Sequence, residues 1–127
     1  MSTILVIDDD TRVSDAIRRL LKRAGYDVVQ ATDGGEGLEH YRNTTIDLVI
    51  TDLFMPGMEG METIRYFVTS FPEAKVIAIS GAGAGVFDPL DVAVQLGAKR
   101  ALTKANLVHE LIPAVAEVLG ESSSENA

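Results

Sequence analysis

Short apolar runs alternate with helical stripes along the whole of this chain, and that alternation constrains its fold more than any other feature. Ile4 to Ile7 is wholly apolar, as suits a strand buried on both faces. Val13, Ala16, Ile17, Leu20, Leu21 and Ala24 then recur at helical spacing, with Gly25 placed to stop the helix. Further strands are predicted at Asp27 to Ala31, Ile46 to Thr51, Lys75 to Ile79 and Arg100 to Thr103. A helix over Gly34 to Arg42 is weakened by Gly35 and Gly37, and one marked by Met61, Ile64, Phe67, Val68 and Phe71 is closed by Pro72. Another spans Pro89 to Leu96 and ends at Gly97. Leu107, Leu111, Ile112, Val115, Val118 and Leu119 mark the last, where Pro113 should kink the helix or cost a backbone bond. Alternating strands and helices with short connections imply a parallel sheet covered on both faces. Right-handed crossovers leave few topologies, and a doubly wound five-stranded sheet of order 2-1-3-4-5 is the expected one.

At 127 residues and 46% apolar, the chain suits one domain with a real core. That domain is expected over residues 1–120, followed by a small polar tail, 121–127, expected to be disordered. No linker, internal repeat or second domain is visible. Eleven basic residues against nineteen acidic give a net charge of −8, which argues against direct nucleic-acid binding, since that rests on neutralising phosphates. There is no cysteine for a disulfide or thiolate metal site. No apolar run approaches the roughly 18 residues of a membrane span, and no signal-peptide layout opens the chain, so a cytoplasmic location is the expectation.

The strands end in chemistry. Asp8, Asp9 and Asp10 follow the first, Asp52 the third, Ser80 and Gly81 the fourth, and Lys104 the fifth. The carboxyl ends of parallel strands share one edge, and the switch point of this order falls between the first and third. Two unit charges ~4 Å apart repel by on the order of 4 kcal/mol at an effective dielectric of ~20. A hard cation with oxygen ligands, such as Mg²⁺, relieves that repulsion. Asp10 reads as the N-cap of the first helix. One cap needs only one acid, so Asp8 and Asp9 read as cation ligands. Asp52 could simply begin the turn into Met55-Pro56-Gly57, but a carboxylate beside a metal can also attack phosphorus. Ser80 and Gly81 could form an ordinary Ser-Gly turn, or offer a hydroxyl and an N–H to phosphoryl oxygens. Lys104, facing the acids, would pair with them and with an incoming phosphoryl group. Gly81-Ala82-Gly83-Ala84-Gly85 lacks the residues of either nucleotide-loop fingerprint, and reads as a mobile loop. His40 and His109 lack metal-ligand spacing.

These motifs, in this order and spacing, resemble the receiver domain of two-component response regulators over residues 2 to about 119. The resemblance implies a flavodoxin-like (βα)5 fold and rests on Ile4 to Asp10, Asp52 to Gly60, Ser80-Gly81, and Leu96-Gly97-Ala98 through Lys104. It implies that Asp52 accepts a phosphoryl group from a histidine kinase or phosphotransfer protein. It further implies that Asp9, Asp52 and the backbone carbonyl of Phe54 hold Mg²⁺ with Asp8 assisting, that Ser80 follows the phosphoryl group, and that Lys104 binds it. The downstream partner is unknown, and the chain is expected to act without an output domain of its own. It is not expected to be an enzyme beyond its own phosphorylation and dephosphorylation.

Departures from the family pattern carry expectations of their own. Ala101 stands where an aromatic residue usually swings inward, so output must pass through loop and helix shifts. Ala105 replaces the proline that usually follows the lysine. A cis bond there would cost about 2.5–4 kcal/mol, so a trans bond is predicted. Phe54 and Ala82 flank the site, and the apolar Phe54 cannot orient water, which predicts slow self-dephosphorylation. Two rivals differ in class. A haloacid-dehalogenase-like phosphohydrolase would want an acid where Phe54 stands and a cap domain. A degenerate receiver would bind its partner without phosphorylation.

Overall fold

The structure is a computed structural model that describes residues 2–53, 60–81, 94 and 97–121. Chain order runs β1 (Thr3–Ile7), α1 (Thr11–Arg23), β2 (Asp27–Ala31), α2 (Gly34–Asn43), β3 (Leu48–Asp52), α3 (Gly60–Ser70), β4 (Val76–Ser80) and β5 (Arg100–Thr103). A short 3-10 turn, Lys104–Asn106, leads into the C-terminal helix, Leu107–Leu119. The strands form one parallel sheet of order β2-β1-β3-β4-β5, the order expected. The helix expected over Pro89 to Leu96 lies outside the described residues except for Val94, which is helical. The tail expected from Glu121 also lies outside them after its first residue. Glu121 itself accepts a hydrogen bond from the Tyr26 hydroxyl at 2.8 Å.

β2 and β5 have the expected bounds, whereas β3 and β4 sit further along the chain than expected. Leu48–Asp52 and Val76–Ser80 replace Ile46 to Thr51 and Lys75 to Ile79. Pairing is the cause: Asp52 lies in register with Ile79, and Ser80 with Thr103. Asp52 and Ser80 are therefore held by the sheet ladder itself rather than by the loops that follow.

The period of two along each strand divides the core. Ile4, Val6, Ile50 and Ile79 face α1 and the C-terminal helix, with Ile17, Leu21, Leu111 and Val115. Leu5, Ile7, Val49 and Val76 face α2 and α3, with Leu38, Ile64 and Phe67. β1, β3 and β4 are buried on both faces, which is why they read as continuous apolar runs.

Gly37 shows why a residue that weakens a helix stands inside α2. A β-carbon there would lie 2.4 Å from Ile7 Cδ1 and 2.8 Å from Cγ1, and Ile7 is fully buried. The absent side chain lets α2 lie close against β1. Gly37→Ala gains roughly 1 kcal/mol of helix propensity but forces overpacking of about 1–3 kcal/mol. A net loss of about 1 kcal/mol is expected in urea denaturation, and a stabilised variant would contradict the packing argument.

Pro113 does not end the C-terminal helix, which continues through it. Proline has no N–H, so the bond to the carbonyl four residues earlier, at His109, is lost. His109 and Pro113 are both exposed, and water can bond that carbonyl. The buried stripe of Leu107, Leu111, Ala114 and Val115 is unaffected.

Candidate functional site

The carboxyl ends of β1, β3, β4 and β5 meet as the topology demands. Asp8 follows β1 and is fully buried, with its N–H donating to the Ala31 carbonyl at 3.1 Å. Its Oδ1 accepts from the Asp10 N–H at 2.9 Å, a turn that aims Oδ2 inward. Asp9 is exposed at the rim. Asp10 is spent on the helix, accepting from the Arg12 N–H at 3.0 Å as the N-cap of α1. That hydrogen bond holds the Asp10 carboxyl below the usual range. Asp52, the last residue of β3, keeps only a sliver of exposure.

Asp8, Asp9 and Asp52 bring carboxylate oxygens within 4.8 Å of one another, the three residues that form such a group among those described. Lys104 answers them from the end of β5. Its Nζ donates to Asp52 Oδ2 at 3.0 Å and lies 3.3 Å from Asp8 Oδ2. Burial pulls the Lys104 pKa down, but the hydrogen bond and charge of Asp52, with Asp8 behind them, outweigh it and raise it. Lys104 is therefore a fixed cation. Burial pushes the Asp8 carboxyl up to about 6, and the Asp52 charge adds to that rise against the Asp10 N–H and Lys104.

Charge and hydrogen bonding both leave this cluster short of a cation. Three carboxylates less one ammonium leave two negative charges when all are ionised. Asp8 Oδ2 is buried without a well-aligned hydrogen bond, since Lys104 meets it at ion-pair distance only. An all-oxygen donor set with two uncompensated charges fits a hard divalent cation such as Mg²⁺.

Ser80 and Gly81 close the site from β4. Ser80 is fully buried. A β-carbon on Gly81 would meet Lys104 Cδ in ordinary contact at 3.4 Å, which places Gly81 beside the lysine stem.

Residues 4–116 match the response regulator receiver domain family. The chain belongs to that family. Among curated relatives of this receiver domain, the Vibrio cholerae CAI-1 autoinducer sensor kinase/phosphatase CqsS is 44% identical over 78 residues, covering 61% of this chain and 11% of CqsS. The chemotaxis protein CheY of Treponema pallidum is 34% identical over 119 residues, 91% of this chain and 81% of CheY. The chain spans only 11% and 27% of the lengths of the two relatives it matches at 44% identity. Among solved structures, the response regulator TrrA of Thermotoga maritima, in complex with Mg²⁺-BeF, superposes with a TM-score of 0.82 at 27% identity. That likeness covers 93% of this chain and 99% of TrrA.

The family departures fall into place unevenly. Ala101 is half-buried on the α2–α3 side of the sheet, paired with Ala78. The peptide bond after Lys104 is trans, as the absence of a proline at Ala105 predicts, and no cis bond occurs among the described residues. The Phe54 carbonyl, Ala82 and the loop through Gly85 lie outside the described residues. Neither histidine joins the site: His40 lies 3.7 Å from Glu36 on α2, and His109 sits on the exposed side of its helix. No helix among the described residues is long and apolar enough to cross a membrane.

Proposed function

We propose that this receiver domain is a phosphorylation-dependent signalling switch or phosphate relay. Asp52 takes a phosphoryl group from a histidine kinase or phosphotransfer protein, and the modified domain changes its partner binding. The observation that carries this reading is Lys104, whose Nζ stands 3.0 Å from Asp52 Oδ2 and 3.3 Å from Asp8 Oδ2 at the edge where three carboxylates converge. Likeness to TrrA in complex with Mg²⁺-BeF and to a sensor kinase/phosphatase supports it.

An Asp52 oxygen attacks the phosphorus of the donor. The donor's bond to phosphorus breaks, its electron pair leaves with the donor nitrogen, and an acyl phosphate forms on Asp52. Asp9, Asp52 and the Phe54 carbonyl, with Asp8 assisting, would hold Mg²⁺, which would supply neutralisation of charge on the phosphoryl oxygens. Lys104, already drawn to Asp52, donates to a phosphoryl oxygen of the product. The Ser80 hydroxyl and the Gly81 N–H offer further donors. With only a methyl group at Ala101, the response passes through shifts of the helices. The chemistry is confined to the domain's own phosphorylation and dephosphorylation.

Intact-mass measurement after incubation with acetyl phosphate and Mg²⁺ tests this reading. The wild type is expected to gain one phosphoryl group, and neither Asp52→Asn nor the wild type without Mg²⁺ should gain it. Labelling of Asp52→Asn equal to wild type would remove Asp52 from its role. A wild type left unlabelled by acetyl phosphate and by a phosphorylated phosphotransfer protein would favour a phosphorylation-independent binding module.

A further inference from the structure

The starts of β4 and β5 gather positive charge at the end of the sheet opposite Asp52. Lys75 precedes β4, while Lys99 precedes β5 and Arg100 opens it. These are three of the six basic residues outside α1, in a chain whose net charge is −8. The two strands are neighbours, with Ile77 in register with Arg100. Both lysines have their backbones fixed by the sheet. The Lys75 carbonyl accepts from the Val49 N–H at 2.8 Å, and the Lys99 N–H donates to the Val76 carbonyl at 2.7 Å. All three side chains line one cleft of about 390 Å³, which Glu117 and Val118 of the C-terminal helix complete.

Charge in this cleft is left uncompensated. Glu117 is the single acid that lines it among the described residues, and Arg100 donates to its Oε1. Neither Lys75 nor Lys99 has an ion pair among the described residues. Asp47, just before β3, is taken up by the Thr3 N–H at 2.8 Å. Glu73 is exposed two residues before Lys75 and does not line the cleft. Three cations less one carboxylate leave two positive charges when all are ionised. The negative end of a helix attracts a cation, and Arg100 already meets the C-terminal helix there through Glu117. Two further ammonium groups beside it only repel one another unless an anion joins them.

We propose that this cleft binds a small anion made of linked phosphates, either a free diphosphate or the phosphate chain of a nucleotide. Two ammonium groups and a planar guanidinium suit that chemistry, the lysines as point charges and Arg100 as a bidentate donor. The volume falls within the range of small-molecule sites. An acidic protein segment would need apolar anchorage as well, and Val118 is the single apolar residue that lines the cleft among those described. The cleft and Asp52 lie at opposite ends of the strands, so this inference stands or falls apart from phosphoryl transfer.

The test titrates the full chain with pyrophosphate, ATP and sulfate in EDTA at constant ionic strength, read by amide chemical shifts and calorimetry. Without Mg²⁺ the three carboxylates at Asp52 repel anions, so the two ends of the sheet report separately. Pyrophosphate should move Lys75, Val76, Lys99, Arg100 and Val118 saturably, with a Kd at or below about 1 mM. Lys75→Gln/Lys99→Gln should weaken it about tenfold or more, and Glu117→Gln, which frees Arg100, should tighten it about threefold. Labelling by acetyl phosphate with Mg²⁺ should be unchanged in both variants, which also shows that they fold. ATP bound as tightly as pyrophosphate would support a site for the phosphates alone. ATP bound about tenfold tighter would support a nucleotide as their source. Unchanged affinity in the double variant, or shifts centred on α1, would overturn the proposal. So would sulfate binding equal to pyrophosphate, the sign of an adventitious ion only. Saturable binding of a polyglutamate peptide in preference to pyrophosphate would assign the cleft to an acidic protein segment instead.

Discussion

Asp8→Asn is expected to stabilise the metal-free protein at pH 7.5 by on the order of 3 kcal/mol, although it removes a residue from the centre of the site. The reason is linkage. Burial and the neighbouring Asp52 raise the Asp8 carboxyl from an ordinary 3.8 to about 6 in the fold. The folded state therefore binds a proton more tightly than the unfolded chain. The stabilisation this provides is complete below about 3.8 and is lost as pH rises through about 6. At pH 7.5 the wild type must keep an ionised carboxylate, fully buried, beside Asp52. Asparagine has the same shape and still accepts from the Asp10 N–H, but carries no charge.

The measurement is urea denaturation of both proteins in EDTA at pH 7.5 and pH 5. The difference between them should shrink towards the lower pH. Comparing the two cancels Asp10 and Glu36, whose lowered pKa values give slopes of the opposite sign. Adding Mg²⁺ at pH 7.5 should stabilise the wild type and do much less for Asp8→Asn, because a bound cation stabilises only the state that holds it. A variant less stable than wild type in EDTA at pH 7.5 would show that the Lys104 ion pair outweighs burial.

The largest loss of stability is expected on the opposite face of the sheet, from Phe67→Ala. Phe67 is the largest fully buried side chain among the described residues. Its ring meets Tyr41 edge-on at 5.2 Å and lies 6.1 Å from Phe71, while Tyr41 and Phe71 are 4.7 Å apart. Those three rings join α2, α3 and the turn after it against the sheet. Truncation should cost about 3–5 kcal/mol, comparable with the whole stability of a weakly stable domain. Phe67→Leu keeps most of the volume and should cost far less, so the pair distinguishes packing from an unfolded variant. Equal losses for the two in urea would point to the ring contacts themselves rather than the space they fill.

Much of this domain could be read from residue order. β2 and β5 have the bounds their apolar patterns imply, and Asp10 caps α1 as an Asp directly before a helical stripe should. Alternation and handedness left few sheet orders, and the one expected among them is the one formed. The ends of β3 and β4 were less legible, because a strand stops where its neighbour's ladder stops, and the neighbour lies far away in the chain. Gly37 and Pro113 looked like local defects. Gly37 is explained by Ile7 lying directly beneath it, and Pro113 by its place on the exposed side of the helix, where water can reach.

The sequence by itself determined which elements form and that three acids and a lysine reach one edge, since local periodicity and chain direction suffice for that. Only the tertiary structure decided how they divide their roles. Asp8 becomes a buried carboxyl raised to about 6, while the adjacent Asp9 stays in water. Lys104 takes Asp52 by a hydrogen bond of 3.0 Å and Asp8 as an ion pair at 3.3 Å. Arg12, Val13 and Ala16 come to line a groove only because the C-terminal helix returns beside α1 with Leu107 and Val108. Each of these depends on burial and on distances across the sheet, and those arise from the whole chain packing at once.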